Sequence, residues 1–119
     1  AQSGAEDVTF GEITCRKLNV IDDEGNKSVR LYLNKNGGAV VASGKDGGLA
    51  ALANYAHGGF VGAYGKGGDY GVQLFNDEYG GGMAIFNKDG ETAVKASVAD
   101  GGGLIETRDK AGNPTGKLP

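Results

Sequence analysis

The chain has one histidine and one cysteine, His57 and Cys15, 42 residues apart. A structural zinc centre needs four convergent nitrogen or sulfur ligands. A nucleophilic triad needs a base held beside its nucleophile by a third group. Neither set can be assembled here. His57 stands in Tyr55-Ala56-His57-Gly58-Gly59, a turn sequence, and reads as a solvated turn residue. A lone cysteine excludes a disulfide within the chain. It leaves Cys15 either a free buried thiol, which is favoured, or a bond between subunits. Gly65-Lys66-Gly67-Gly68 has the glycine content of a phosphate cradle. It lacks the Gly-Lys-Ser/Thr ending and the following helix that would aim an N-terminus at an anion. Tight turns explain those glycines better.

Two further groups of side chains have chemistry to offer. Asp22-Asp23-Glu24, Asp77-Glu78 and Asp100 could supply oxygens to Ca²⁺, which stabilises some extracellular repeats. Neither the EF-hand spacing nor the nonapeptide calcium repeat is present, so calcium stays the minor reading and no other cofactor is implied. The five tyrosines, Tyr32, Tyr55, Tyr64, Tyr70 and Tyr79, could line a sugar-binding face. Their mixed strand parities favour scattered packing and interface roles instead. No catalytic, cofactor or metal residue is assigned. The chain reads as a non-enzyme.

The elements that would carry these residues are marked by glycine. Gly25, Gly47, Gly68, Gly90 and Gly112 recur at 22, 21, 22 and 22 residues. A second series, Gly37-Gly38, Gly58-Gly59, Gly80-Gly81 and Gly101-Gly102, falls between them. The unit is therefore about 22 residues with two reversals, each half long enough for one short strand and one turn. Seven residues before the first series stand Leu18, Val40, Val61, Met83 and Ile105; a second column reads Leu31, Leu52, Leu74 and Ala96. These are apolar ladders, with period-2 alternation within each segment. Glycine every few residues would cost a helix about 1 kcal/mol each. The chain is read as all-β, with nine strands near 18–21, 28–33, 39–43, 50–54, 60–64, 71–75, 83–86, 93–97 and 104–107. Asp-Gly and Gly-Gly between alternating segments favour an antiparallel meander built on type I′ hairpins. The alternative is a β-solenoid with like strands stacked in parallel.

Three regions follow: an arm (1–12), a β-repeat domain (13–112) and a tail (113–119) holding both prolines, expected to fray or act as a linker. Ala1–Asp7 reads as disordered. Val8-Thr9-Phe10 and Ile13 have strand character, suited either to their own sheet or to a neighbour's edge. Val8, Phe10, Ile13 and Cys15 are the candidate interface residues. Ala42, Ala51, Ala53, Gly62, Ala63 and Ala84 occupy positions where a solvated face would carry polar residues. They imply a second sheet or chain packed closely against them. A one-layer meander cannot cover its own apolar face, so completion by oligomerisation, as a three-chain β-prism or a fibre, is expected.

Net charge is −3 with both signs mixed, and there is no basic stripe for nucleic acid. No apolar run approaches the ~18 residues of a membrane span. The start, Ala1-Gln2-Ser3 without Met, fits a processed secreted protein and equally a segment of a longer one.

The alternation of Leu18-Asn19-Val20-Ile21-Asp22-Asp23-Glu24-Gly25 with Val29 to Gly38 resembles tandem repeats of uncharacterised bacterial cell-surface proteins. More loosely it resembles the β-rich shafts of phage tail fibres and trimeric adhesins. The resemblance covers residues 13–112. It implies an extracellular or cell-surface location and a homo-oligomeric, non-enzymatic role. The expected function is a structural subunit of a fibre or surface assembly, partnered by copies of itself as a trimer or filament. The alternative is a surface-displayed binding module, an adhesin or carbohydrate-binding domain taking a surface glycan.

Overall fold

Nine chain reversals separate ten strands in the structure, a computed structural model that describes residues 7–119. They are β1 (Leu18–Ile21), β2 (Lys27–Asn34), β3 (Gly37–Ser43), β4 (Leu49–Tyr55), β5 (Gly58–Tyr64), β6 (Gly71–Asp77), β7 (Gly80–Phe86), β8 (Thr92–Ala99), β9 (Gly102–Arg108) and β10 (Pro114–Leu118). Each pairs antiparallel with the next, in one open sheet whose spatial order is the chain order. The fold is an all-β antiparallel meander, and like strands do not stack in parallel as a solenoid would have them.

The count differs from the nine strands read in the sequence because the segment after Gly112 turns back onto β9. Its proline marks a strand end rather than a break: Pro114 is the first residue of edge strand β10, where a missing N–H breaks no central ladder. Thr115 and Thr107 share a hydroxyl hydrogen bond at 2.9 Å across the pair. Of the stretch read as disordered, Ala1–Glu6 lies outside the described residues. Val8, Thr9 and Phe10 form no strand and do not pair with β1. The three-residue step from Phe10 to Ile13 breaks the period of two.

Two loop types alternate, one for each glycine series. In the first, the glycine N–H donates to the carbonyl three residues back, as in Gly25 to Asp22 (3.0 Å), and the loop closes one residue beyond it, Asp22 N–H to Asn26 O (2.9 Å). That is a type I turn with glycine in the left-handed region, Gly25 at φ 85°. The loops at Gly47, Gly90 and Gly112 repeat it; the one at Gly68 is a residue longer, closing from Gly65 to Tyr70. The second series consists of two-residue turns, such as Lys35-Asn36 between the paired Asn34 and Gly37. The expected type I′ geometry, positive φ at both centres, is met by Asp100 (51°) and Gly101 (79°) alone. Elsewhere two ordinary L-residues occupy the centres, and positive φ passes to the glycine after them.

Cross-strand partners point to the same side of a sheet, and neighbours along a strand to opposite sides. The register therefore sorts every side chain onto one of two faces. The buried hydrophobic residues, Ala39, Val41, Ala53 and Ala84, all fall on one of them. Among the described residues no large side chain is fully buried. The described chain extends 57 × 29 × 20 Å, and its ten-stranded sheet has made very little core for itself.

Candidate self-association surface

On the first face one row crosses the whole sheet. It runs Leu18, Leu31, Val40, Leu52 and Val61 over β1 to β5. It continues as Leu74, Met83, Ala96, Ile105 and Leu118 over β6 to β10. The two columns read separately in the sequence are alternate members of this one row. Toward the three-residue loops lies a parallel row: Val20, Val29, Ala42, Ala50, Ala63, Val72, Ile85, Val94 and Thr107. Toward the two-residue turns, Gly38, Gly59, Gly81 and Gly103 alternate with Asn54, Asn76 and Val98. No charged residue occurs in these three rows. The side chains are nevertheless in solvent, with Leu52 54% exposed and Leu74 50%. Over β1 to β6 the surface forms an open groove of about 960 Å³, walled by Ile13–Lys17. Contiguous exposed apolar patches of this extent are uncommon on folded monomers.

The opposite face is covered by its own side chains. Rows of Ala and Gly run beneath aromatic rings from neighbouring positions. The Tyr55 and Phe60 rings meet edge to face at 5.2 Å, and Phe60 and Tyr64 lie nearly parallel (16°) with centroids 6.4 Å apart. Both Phe60 and Tyr64 bend over Gly62, so that a Cβ there would stand 2.7 and 2.6 Å from them. The Tyr64 hydroxyl donates to Gln73 Oε1 at 2.8 Å. Burial, with Tyr55 beside it, pushes the Tyr64 pKa up and keeps it a donor. Arg30 lies over the Tyr32 ring at 5.3 Å and Lys95 over Phe75 at 6.0 Å. The charged residues Arg30, Lys95, Glu106 and Lys117 share this face.

Several sequence expectations are corrected here. The small residues read as one closely approached face divide by register: Ala42 and Ala63 lie on the aliphatic face, and Ala51, Ala53, Gly62 and Ala84 on the aromatic one. Rings and long chains on that same face lie over small residues there, and Ala84 is 4% exposed. Tyr32, Tyr55 and Tyr64 share a face, because loops of two and three residues reset the parity that the sequence shows as mixed. Cys15, favoured as a buried thiol, is exposed and free. It precedes β1, in a segment that the sheet does not cover.

Of the candidate interface residues, Ile13 and Cys15 wall the groove, whereas Val8 (65% exposed) and Phe10 (61%) stand in the arm before it. His57 is exposed in its two-residue turn. Three acidic turn residues, Asp22, Asp77 and Asp109, serve their own turns. Asp22 Oδ1 accepts the N–H groups of Glu24 and Asn26, each at 2.9 Å. Asp109 Oδ1 accepts those of Ala111 and Asn113 at the same distance, and Asp77 Oδ1 those of Tyr79 (2.8 Å) and Gly80 (3.1 Å). Hydrogen bonds from Asn26 and from Asn113 are the chief reasons that the Asp22 and Asp109 carboxyls sit below their ordinary pKa. No helix is long and apolar enough to cross a membrane, and no group of three or more potential metal ligands occurs among the described residues.

No family model, curated protein or solved structure matches this chain.

Proposed function

We propose that this chain is a non-enzymatic structural module that associates with copies of itself through its aliphatic face, as a subunit of an extracellular fibre or surface assembly. One observation carries the reading: a charge-free row of aliphatic side chains spans all ten strands and is left in water. Apolar burial is worth roughly 25 cal/mol per Å², and a single sheet layer has nothing on this side to bury against. A second copy provides the same face at no cost in new sequence. The test is solution mass by light scattering over a concentration series, comparing the natural chain with Leu52→Asp and Leu74→Asp. The natural chain assembles and the variants, folded by circular dichroism, do not. A natural chain that stays monomeric at every concentration overturns the reading.

A second reading, a surface-displayed carbohydrate-binding module, is favoured by the ring platform of Tyr55, Phe60 and Tyr64 on the other face. Retention on insoluble polysaccharide, lost in Tyr55→Ala, would support it. The two readings use opposite faces and are compatible.

A further inference from the structure

The aliphatic face carries a groove, and the chain carries a segment that fits it. The groove crosses the sheet from β1 to β6, five inter-strand steps of ~4.8 Å and so roughly 24 Å. Along it stand Leu18, Leu31, Val40, Leu52, Val61 and Leu74. At Gly38 and Gly59 the floor is low, and a Cβ there would meet nothing within 4 Å. Among the described residues, the only charged ones in its lining are Arg16 and Lys17, both basic and both at the β1 end. Neither forms an ion pair among the described residues.

The segment is the arm before that wall, Asp7-Val8-Thr9-Phe10-Gly11-Glu12. Six extended residues reach roughly 20 Å, close to the length of the groove. Val8 and Phe10 are two apart, so an extended chain points both to one side. They are 65% and 61% exposed, and no strand pairs with them. The arm's charges are opposite to the groove's. Asp7 stands at one end and Glu12 at the other, with no basic residue between them. In either direction, therefore, a carboxylate meets the Arg16–Lys17 end. The arm's own chain does not use the groove this way: residues 7–12 are all exposed, and none of them lines it.

We infer that the groove takes the arm of a second copy, with Val8 and Phe10 laid against the aliphatic row and a carboxylate of the arm paired with Arg16 and Lys17. This rests on the self-association proposed above and names the contact that produces it. The isolated chain keeps two apolar surfaces in water, the arm and the groove, and one contact between copies removes both. A ring seated in an apolar groove is the kind of anchor that dominates an interface. The ion pair at the groove's end adds little affinity in water, but it selects an acidic arm over a basic one.

The experiment is light scattering and native mass spectrometry on the full chain over a concentration series. The natural chain should assemble. Val8→Asp with Phe10→Asp should weaken assembly about tenfold or more and keep the strand circular dichroism, since both residues lie outside the sheet. Arg16→Glu with Lys17→Glu should weaken it severalfold, and adding Asp7→Lys with Glu12→Lys to that variant should restore it. A Phe10→Asp chain mixed with a Leu52→Asp chain should form mixed assemblies, because one brings an intact groove and the other an intact arm. Assembly that is indifferent to the altered arm overturns the inference and leaves self-association standing. So does a charge swap that restores nothing. So does a mixture that stays monomeric, as it would if each arm filled its own groove or if two faces met directly. A natural chain that is monomeric at every concentration overturns both readings.

Discussion

The two faces of this sheet share one backbone and solve the same problem in opposite ways. On the aromatic face, rings and long cationic side chains fold over alanine and glycine, and the few buried among the described residues are there. On the aliphatic face, branched side chains stand side by side along ten strands with nothing above them. Aromatic rings are long enough to bend across a neighbouring strand, as Phe60 and Tyr64 do over Gly62. Leucine and valine are too short to cover one another and can leave water only against another surface. This one-layer sheet therefore finishes one face from within and leaves the other uncovered.

That contrast predicts opposite responses to equivalent changes. The largest effect on the isolated fold should come from Phe60→Ala, which removes a ring from the aromatic cover: about 2 kcal/mol, below the 3–5 of a fully buried Phe because Phe60 is only half-buried. Leu52→Ala should cost the dissociated chain under about 0.5 kcal/mol, as an exposed position does. Urea denaturation below the assembly concentration measures both, and equal losses would abolish the distinction.

A glycine pair sharpens it. Gly62→Ala should destabilise by about 1–2 kcal/mol, because its Cβ displaces two rings. Gly59→Ala, with open space and ordinary φ, should instead stabilise the dissociated chain by about 0.4–1 kcal/mol. Thermal melts of the two read opposite signs if the faces differ as described.

The smallest effect concerns the loops. Asp22 and Asp109 have lowered pKa values in the fold. Their contribution is present above the ordinary carboxylate value of 3.8 and is lost as pH falls through the lowered one. Asp22→Ala with Asp109→Ala should lower the melting temperature slightly at pH 6 and flatten its decline below pH 4. An unchanged acid limb would show that these carboxylates are only solvated.

Much of the fold is legible in the residues. The glycine spacing locates the reversals, and the alternation between them marks strands. Both depend on backbone rules that act over a few residues: positive φ at a loop's third position, side chains alternating along an extended chain. The tenth strand escaped because two prolines and the end of the repeat look like a tail. Proline at the first position of an edge strand breaks no pairing, and only the ladder with β9 reveals that. The candidate surface was half legible. Its two apolar columns stand out in the sequence, yet nothing local says that they interleave into one row.

By itself, then, the sequence determined the class of structure and nine of the ten strand segments, since each follows from local conformational preference. The tertiary structure alone decided which residues share a face. Each reversal shifts the register by the number of residues in its loop, and a shift of one sends every following side chain to the other side of the sheet. The tyrosines were gathered and the alanines divided by that arithmetic. One face was closed by its own rings, and the other was left open.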